Sequence, residues 1–227
     1  MNFKRSFELF LDKKIEDKKR RRKENSMITD RSLEEYCRYF NFTPEELKGK
    51  KILDVGSGKK ETFSKEAAKY GAEVISISPE LRRWYKRKRL KGWLISDSEW
   101  QRRSIAARAQ KLPFKDNYFD IITAVYSIPH YSPSHQDTYV SIQEMLRVLK
   151  KGGKVYIAPI NDGKDINETI KRTFGEKTTQ WLKENETEFQ VNIGKDYVPD
   201  EVGYMTRCIS IEKLPDQEEK KQNEKDE

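Results

Sequence analysis

The sequence contains little cysteine and no long run of apolar residues. Its two cysteines, Cys37 and Cys208, lie far apart and follow no metal-ligand spacing, so neither a zinc site nor a disulfide framework is indicated. No apolar run approaches the roughly 20 residues of a membrane-spanning helix. The N-terminal region also lacks the uninterrupted apolar segment of a secretory signal. We therefore expect a cytoplasmic protein with no transmembrane segment and no bound metal.

A third glycine is missing from the phosphate-binding pattern that begins at Gly56. Dinucleotide-binding turns have the spacing Gly-x-Gly-x-x-Gly, whereas the residues after Gly58 are Lys-Lys-Glu. The residues before the turn are more informative. Residues 51–58 read Lys-Ile-Leu-Asp-Val-Gly-Ser-Gly, an apolar run that leads into an acid and two glycines. This pattern predicts a buried strand that breaks into a tight turn, where missing side chains let the backbone approach a ligand.

Residues 51–58 closely resemble the first motif of the class I S-adenosylmethionine (SAM)-dependent methyltransferases, and further segments resemble later motifs in the same order. Residues 71–80 are similar to the family's second strand and its exit, and residues 109–120 to its Ala-Glu-x-Leu-Pro-Phe … Phe-Asp stretch. Residues 144–157 are similar to its helix, turn and fifth strand. Four motifs in the right order are far more specific than one, and the resemblance extends over residues 43–213.

Apolar strands alternate with amphipathic helices, which favours an α/β fold built on a doubly wound parallel sheet. The resemblance implies a Rossmann-like sheet of seven strands with the last antiparallel. We expect a basic, amphipathic extension over residues 1–30, a methyltransferase-like domain over 31–213 and a charged, disordered tail over 214–227. The predicted elements are strands at 51–55, 73–77, 119–125, 154–159, 189–193 and 206–213, helices at 60–70, 79–90, 138–149 and 165–185, and a helix that opens with a capping box at Ser32 and Glu35.

The resemblance implies a SAM pocket at the carboxyl ends of the strands, where ligands of open α/β sheets bind. Asp54 is expected either to accept a hydrogen bond from an ammonium group or to order the glycine turn. Gly56, Ser57 and Gly58 are expected to bring the backbone close to the cofactor. A glycine turn of any α/β domain is the structural alternative.

Two positions depart from the family pattern. Where the family places an acid that holds both ribose hydroxyls, this chain has Ser78, with Glu80 two residues further on. Where the family often has an acid that binds the adenine amino group, this chain has Arg108, which leaves Gln110 and Leu112 as the candidates near adenine. A lost charge-assisted hydrogen bond costs about 1.5–3 kcal/mol. Retained, altered and lost SAM binding are therefore all open.

The segment after the fourth strand is expected to face the methyl group. Methyl transfer requires alignment more than side-chain catalysis, so no general signature is expected. The catalytic candidates are Tyr126, His130 and Tyr131, with His130 as a base or, alternatively, as a loop residue with a structural hydrogen bond. The Asn/Asp-Pro-Pro-Tyr/Phe signature of amino-methylating DNA enzymes is absent, as are paired cysteines for carbon-5 pyrimidine chemistry. Only those two classes are thereby excluded.

Positive charge is concentrated in one segment. The formal net charge is +8, and residues 81–111 contain eleven basic residues against two acidic ones. Trp84, Tyr85 and Trp93 are interleaved with these cations, a mixture that suits phosphates and stacked bases. Leu81, Trp84 and Tyr85 would equally form the packing face of a helix. The residues that would bind RNA or another polyanion are Arg82, Arg83, Lys86, Arg87, Lys88 and Arg89.

Three functions follow as hypotheses. The first is SAM-dependent methylation of an unidentified acceptor, with an anionic one such as RNA suggested by the basic segment. The second is a catalytically inactive protein of the same fold that acts as a basic nucleic-acid-binding or scaffold module. Ser78 and Arg108 favour the second, whereas Asp54 and the glycine turn favour the first. The third is a peripheral protein of anionic membranes that binds through residues 1–25.

Overall fold

The computed structural model describes residues 31–58, 60–81, 103–161, 163–194, 198–199 and 205–215. The predicted N-terminal extension, the predicted tail from residue 216 onward and the polyanion candidates lie outside these ranges and stay predictions; those candidates are Arg82, Arg83, Lys86, Arg87, Lys88 and Arg89. Within the described ranges, no helix is long and apolar enough to cross a membrane.

Nine strands occur in the described residues: β1 Lys51–Val55, β2 Glu73–Ile77, β3 Ser104–Ile105, β4 Phe119–Val125, β5 Leu149–Ala158, β6 Phe189–Ile193, β7 Val198–Pro199, β8 Met205–Thr206 and β9 Ile209–Lys213. Seven of them form one sheet in the order β3-β2-β1-β4-β5-β9-β6, and β7 pairs with β8. β9 runs antiparallel to both β5 and β6, and the other neighbours in the sheet are parallel. The predicted α/β class, with seven strands and the last one antiparallel, is confirmed.

The described helices are α1 Leu33–Phe40, a 3-10 helix Pro44–Leu47, α2 Thr62–Lys69, α3 His135–Val148, α4 Ile166–Phe174 and α5 Glu176–Glu184. The capping box predicted at the start of α1 is present. The Ser32 N–H donates to the Glu35 carboxylate at 2.8 Å, and the Ser32 hydroxyl oxygen accepts the Glu35 N–H at 3.3 Å. These bonds satisfy donors that the start of a helix otherwise leaves unpaired.

Two predicted helices have different bounds. The helix predicted over 165–185 is interrupted at Gly175, which has φ = +91° and where a Cβ would lie 2.8 Å from the His135 ring. The chain therefore turns there and continues as a second helix. α3 begins three residues earlier than predicted because the Ser134 hydroxyl accepts the Asp137 N–H at 3.1 Å and caps the helix at that point.

Two predicted strands also differ. β5 begins at Leu149 rather than at residue 154, because Leu149 already pairs with Phe119 before the register shifts. The strand predicted over 206–213 begins only at Ile209, as β9. Thr206 belongs instead to β8, which pairs with β7 and not with the large sheet.

Both faces of the sheet are buried, each by its own cluster of apolar side chains. Along β1, Ile52 belongs to the cluster under α1 and α2, whereas Leu53 belongs to the larger cluster under α3, α4 and α5. The rings of Tyr36 on α1 and Phe63 on α2 stack with centroids 3.9 Å apart. Because successive strand residues point to opposite faces, this alternation defines a doubly wound sheet whose strand ends are left as the ligand-binding edge.

Arg147 of α3 holds the loop that precedes β4. Its guanidinium donates to the carbonyl oxygens of Leu112 at 3.1 Å and Phe114 at 2.9 Å. It also pairs with Asp116 at 2.6 Å and with Glu144 at 2.7 Å. Glu144 in turn accepts the Leu112 N–H at 2.8 Å. The Leu-Pro-Phe segment is therefore fixed to α3 by charge-assisted hydrogen bonds.

We expect Arg147→Leu to destabilise the fold by about 1–3 kcal/mol, because it removes the guanidinium that donates to two carbonyl oxygens and pairs with Asp116 and Glu144. Urea denaturation followed by circular dichroism measures this loss. Arg172→Leu is the matched control, since the surface pair of Arg172 with Glu168 contributes about 0–1 kcal/mol. Equal destabilisation by the two variants would contradict the anchoring role of Arg147.

Candidate functional site

A cavity of about 580 Å³ opens at the carboxyl ends of β1, β2 and β4. This is the edge at which open α/β sheets bind their ligands. The residues that line it are Arg31, Tyr36, Val55, Gly56, Ser57, Gly58, Ile77, Ser78, Pro79, Glu80, Leu81, Ala107, Arg108, Ala109, Gln110, Val125, Tyr126, Ser127, Ile128, Tyr131 and Pro133. The sequence-predicted residues that it brings together are Gly56, Ser57, Gly58, Ser78, Gln110, Tyr126 and Tyr131, while Asp54, Leu112 and His130 do not line it.

The glycine turn forms one wall of the cavity. Gly56 and Gly58 have φ of +83° and +72°, the left-handed region that glycine adopts at little cost. The Gly56 N–H donates to the Ile77 carbonyl oxygen at 2.8 Å and so joins the ends of β1 and β2. A Cβ at Gly56 would lie 2.3 Å from the Cβ of Ser127. The close approach that requires glycine here is thus to the chain leaving β4.

Ser57 lines the cavity, and its hydroxyl is buried. The residue is 7% exposed, and its Oγ has no hydrogen-bond partner among the described residues. A buried hydroxyl without a partner is costly. A ligand in the cavity would supply the missing partner.

Asp54 lies beneath the cavity rather than in its wall. Its side chain is fully buried, and its Oδ1 accepts hydrogen bonds from the Tyr36 hydroxyl at 2.9 Å and the Thr123 hydroxyl at 3.1 Å. The Ser64 hydroxyl lies 3.5 Å from Oδ2 and 2.6 Å from the Ser76 hydroxyl. Of the two roles expected for Asp54, this geometry favours ordering of the turn over contact with an ammonium group.

Burial raises the pKa of Asp54 to about 7, although the hydrogen bonds from Tyr36, Thr123 and Ser64 act in the opposite direction. Desolvation disfavours the charged carboxylate more than these three donors favour it. Asp54 therefore changes charge close to neutral pH while remaining out of contact with solvent.

The two departures from the family pattern flank one end of the cavity. The Ser78 hydroxyl oxygen accepts the Glu80 N–H at 3.3 Å, and both residues line the wall after β2. Arg108 and Gln110 line the facing wall. Leu112 instead packs in the core and is held by Glu144, so its side chain does not reach a ligand in the cavity.

The other end of the cavity is aromatic. Tyr126 and Tyr131 line it, and Tyr131 is 73% exposed at its mouth. The ring of His130 lies 5.7 Å from that of Tyr126. Partial burial lowers the pKa of His130, and the charge of Arg31 lowers it further. The imidazole is therefore neutral at pH 7 and able to accept a proton.

Arg31 and Tyr36 line the cavity without having been candidates from the sequence. Tyr36 shares the buried face of α1 with Leu33 and Phe40, so its spacing indicates only a core residue. Arg31 is one of 46 basic residues, and nothing in its neighbourhood distinguishes it. In the structure it is 8% exposed, and its guanidinium carbon lies 3.8 Å from the centroid of the Tyr126 ring.

Comparison with known proteins relates the chain to methyltransferases. A family model described as a methyltransferase domain matches residues 53–157, which include the last three residues of β1, the glycine turn, β4 and most of β5. Over these residues the chain is therefore similar to methyltransferase domains.

Curated relatives match a larger part of the chain. A ubiquinone/menaquinone biosynthesis C-methyltransferase UbiE from Paraburkholderia xenovorans is 27% identical over 75% of this chain and 63% of its own length. The protein of the same description from Francisella philomiragia is 28% identical over 77% of this chain and 64% of its own. The chain thus spans less than two thirds of these relatives.

A solved structure supports the same fold. A SAM-dependent methyltransferase from Methanosarcina mazei superposes with a TM-score of 0.50 at 17% identity, over 74% of this chain and 93% of that one.

Asp54→Asn tests the buried carboxyl near the end of β1. The unfolded carboxyl titrates near pH 4, so between about pH 4 and 7 the folded state keeps a proton that the unfolded state has lost. The wild type should therefore lose stability relative to Asp54→Asn by about 1.4 kcal/mol per pH unit as the pH rises through this range. Urea denaturation at a series of pH values measures the difference.

Asp120→Asn is the control for this series. Burial acts to raise the pKa of Asp120, but hydrogen bonds from Lys150 and the Lys51 N–H outweigh it and the pKa is lowered. Its contribution to stability is lost only in acid, so its pH profile should run parallel to that of the wild type above pH 5. A parallel profile for Asp54→Asn as well would show that Asp54 is ionised in the folded state at all these pH values.

Proposed function

We propose that the protein is a SAM-dependent methyltransferase that transfers a methyl group to a carbon atom of a small molecule. The observation that carries the proposal is the cavity itself. It joins the glycine turn after β1 to the aromatic exit of β4, within a domain of a SAM-dependent family. One end of the cavity is suited to a cofactor and the other to an acceptor.

The residues at the first end fit SAM. Gly56 and Gly58 line the cavity with backbone alone, and Ser57 has a buried hydroxyl that lacks a partner among the described residues. Ser78 and Gln110 are placed to accept from or donate to a polar ligand on either side. SAM, when bound, supplies an activated methyl group on a sulfonium, so the protein has only to orient the acceptor and exclude water.

The residues at the second end would orient the acceptor. Tyr126 and Tyr131 provide aromatic surface for a planar molecule. The neutral imidazole of His130 stands behind Tyr126 and outside the cavity wall, so a proton would reach it only through an intervening group such as water. His130 is therefore proposed as a proton acceptor that acts through an intervening water rather than by direct contact with the acceptor.

The class of acceptor is proposed from the relatives. Those from Paraburkholderia and Francisella are named as C-methyltransferases of quinone biosynthesis. A carbon acceptor on a small ring-bearing molecule agrees with an aromatic cavity of this size. The RNA or polyanion acceptor predicted from the basic segment depends on residues that lie outside the described ranges, and it stays a prediction.

Calorimetric titration with SAM and S-adenosylhomocysteine tests the proposal, and Ser57→Ala locates the site. We expect micromolar binding by the wild type and binding weaker by up to about tenfold in Ser57→Ala, since one hydrogen bond contributes about 0.5–1.5 kcal/mol. Thermal stability should not fall, because the hydroxyl removed has no protein partner.

Ser132→Ala is the matched control for Ser57→Ala. Its hydroxyl is likewise buried without a partner among the described residues, but Ser132 does not line the cavity. SAM affinity should be unchanged in this variant. Absence of wild-type binding up to millimolar SAM would overturn the proposed function in favour of a catalytically inactive binding protein.

Ser78→Asp tests the departure at the end of β2. An aspartate there would accept hydrogen bonds from ribose hydroxyls, and each charge-assisted bond contributes about 1.5–3 kcal/mol. We expect SAM affinity to rise about tenfold or more, as measured by the same calorimetry. Ser78→Asn has nearly the same shape without the charge and should give a smaller gain. No gain in either variant would mean that the ribose is held elsewhere.

A further inference from the structure

Arg31 places a nearly buried positive charge at the acceptor end of the cavity. It is 8% exposed, lines the cavity, and holds its guanidinium carbon 3.8 Å from the centroid of the Tyr126 ring. Stacking on an aromatic ring leaves the N–H groups of a guanidinium, which lie in its plane, able to reach neighbouring groups edge-on. The geometry is that of a fixed donor fork beside the aromatic wall.

The charges that line the cavity are unevenly distributed. Among the described lining residues, Arg31 and Arg108 are cationic and Glu80 is anionic. Arg108 and Glu80 are exposed, whereas Arg31 is nearly buried and lies over the Tyr126 ring. Arg31 is therefore the lining cation that is most shielded from water.

We propose that Arg31 selects an acceptor that enters the cavity as an oxyanion, a carboxylate or an ionised phenol or enol on a small planar molecule. The inference rests on the proposed function and names the substrate class for the same cavity. A charge attracts its counterpart more strongly where water is excluded, and a guanidinium matches an oxyanion with two parallel N–H donors. With five N–H donors, the group can keep its protein contacts and still donate to a ligand.

The assignment also bears on reactivity. An ionised phenol or enol carries part of its negative charge on the neighbouring carbon, which is the atom a C-methyltransferase must make nucleophilic. A cation beside the oxygen stabilises the ionised form and lowers the pKa of the bound acceptor. The O–H bond breaks with its electron pair left on oxygen, and the proton passes to water. If the anion is instead a carboxylate remote from the reacting carbon, Arg31 does not activate that carbon and only positions the acceptor.

The test uses the full chain saturated with S-adenosylhomocysteine and two pairs of probes of matched shape. Benzoate is compared with benzamide, and 4-nitrophenol with its neutral methyl ether, by calorimetric titration at pH 8. We expect at least one anionic probe to bind about tenfold or more tightly than its neutral partner. The pair that shows the difference distinguishes a carboxylate from a phenolate acceptor. For 4-nitrophenol, the visible absorbance of the ionised form also gives the pKa of the bound phenol, which should fall below that of the free phenol.

Arg31→Gln should abolish the preference for the anion, and Arg31→Lys should keep part of it because the charge remains without the planar fork. Arg38→Gln is the control, since Arg38 is exposed on α1 and does not line the cavity. The inference is overturned if S-adenosylhomocysteine binds but neither anion is preferred by the wild type, or if the preference survives in a folded Arg31→Gln. If S-adenosylhomocysteine itself does not bind, the proposed function fails first. The comparison of probes on the wild type needs no variant, so an unfolded Arg31→Gln leaves the inference falsifiable.

Discussion

The buried carboxyl of Asp54 is the interaction on which the site depends. It lies near the carboxyl end of β1, two residues before Gly56 of the glycine turn, and it contacts side chains from three other elements. Tyr36 reaches it from α1, Thr123 from β4 and Ser64 from α2. A buried carboxyl is tolerated only when its oxygens are satisfied. Because each donor comes from a different element, satisfying Asp54 fixes the relative positions of all four.

The same contacts bring the acceptor end of the cavity next to the cofactor end. Tyr36 is held by its hydroxyl on Asp54 and by its ring on Phe63, so α1 is attached to the edge of the sheet at which the strands end. The Leu33 N–H also donates to Glu66 of α2 at 2.7 Å. Arg31 lies just before α1 and is thereby carried over the exit of β4. Arg31 and Tyr36 both lie outside residues 53–157, the segment that the family model matches. Arg31 reaches the cavity because Tyr36 is anchored to Asp54, which lies within that segment.

The sequence was sufficient for three of the strands and for the position of the glycine turn, because these depend on local patterns, whereas the number and direction of the strands were implied by the family resemblance. Apolar runs over 51–55, 73–77 and 119–125 bury residues on both faces, and each became a strand with those bounds. The break at Gly175 was missed because the apolar spacing continues across it, whereas its positive φ and the close approach of the His135 ring are features of the folded chain. For Asp54 the sequence left two roles open, and its packing favours the ordering of the turn, whereas Leu112, expected near adenine, packs in the core. A motif fixes where such residues stand in the chain, but whether a side chain faces a ligand or the core depends on its packing partners.

The balance of charge in the cavity links the departures from the family pattern to the choice of acceptor. SAM brings a sulfonium cation, and a cavity with two arginines, one exposed glutamate and a carboxyl that is partly neutral at pH 7 gives that cation little compensation. An acceptor that enters as an anion would offset one of these positive charges. Where that anion is a phenolate or enolate, methyl transfer removes two opposite charges together, because the S–CH3 bond breaks as the C–CH3 bond forms, which leaves a neutral thioether and a neutral alkylated acceptor. Opposite charges attract strongly in an environment of low dielectric. The excess of positive charge that lowers the affinity of the cavity for SAM alone would therefore favour binding of SAM together with an anionic acceptor.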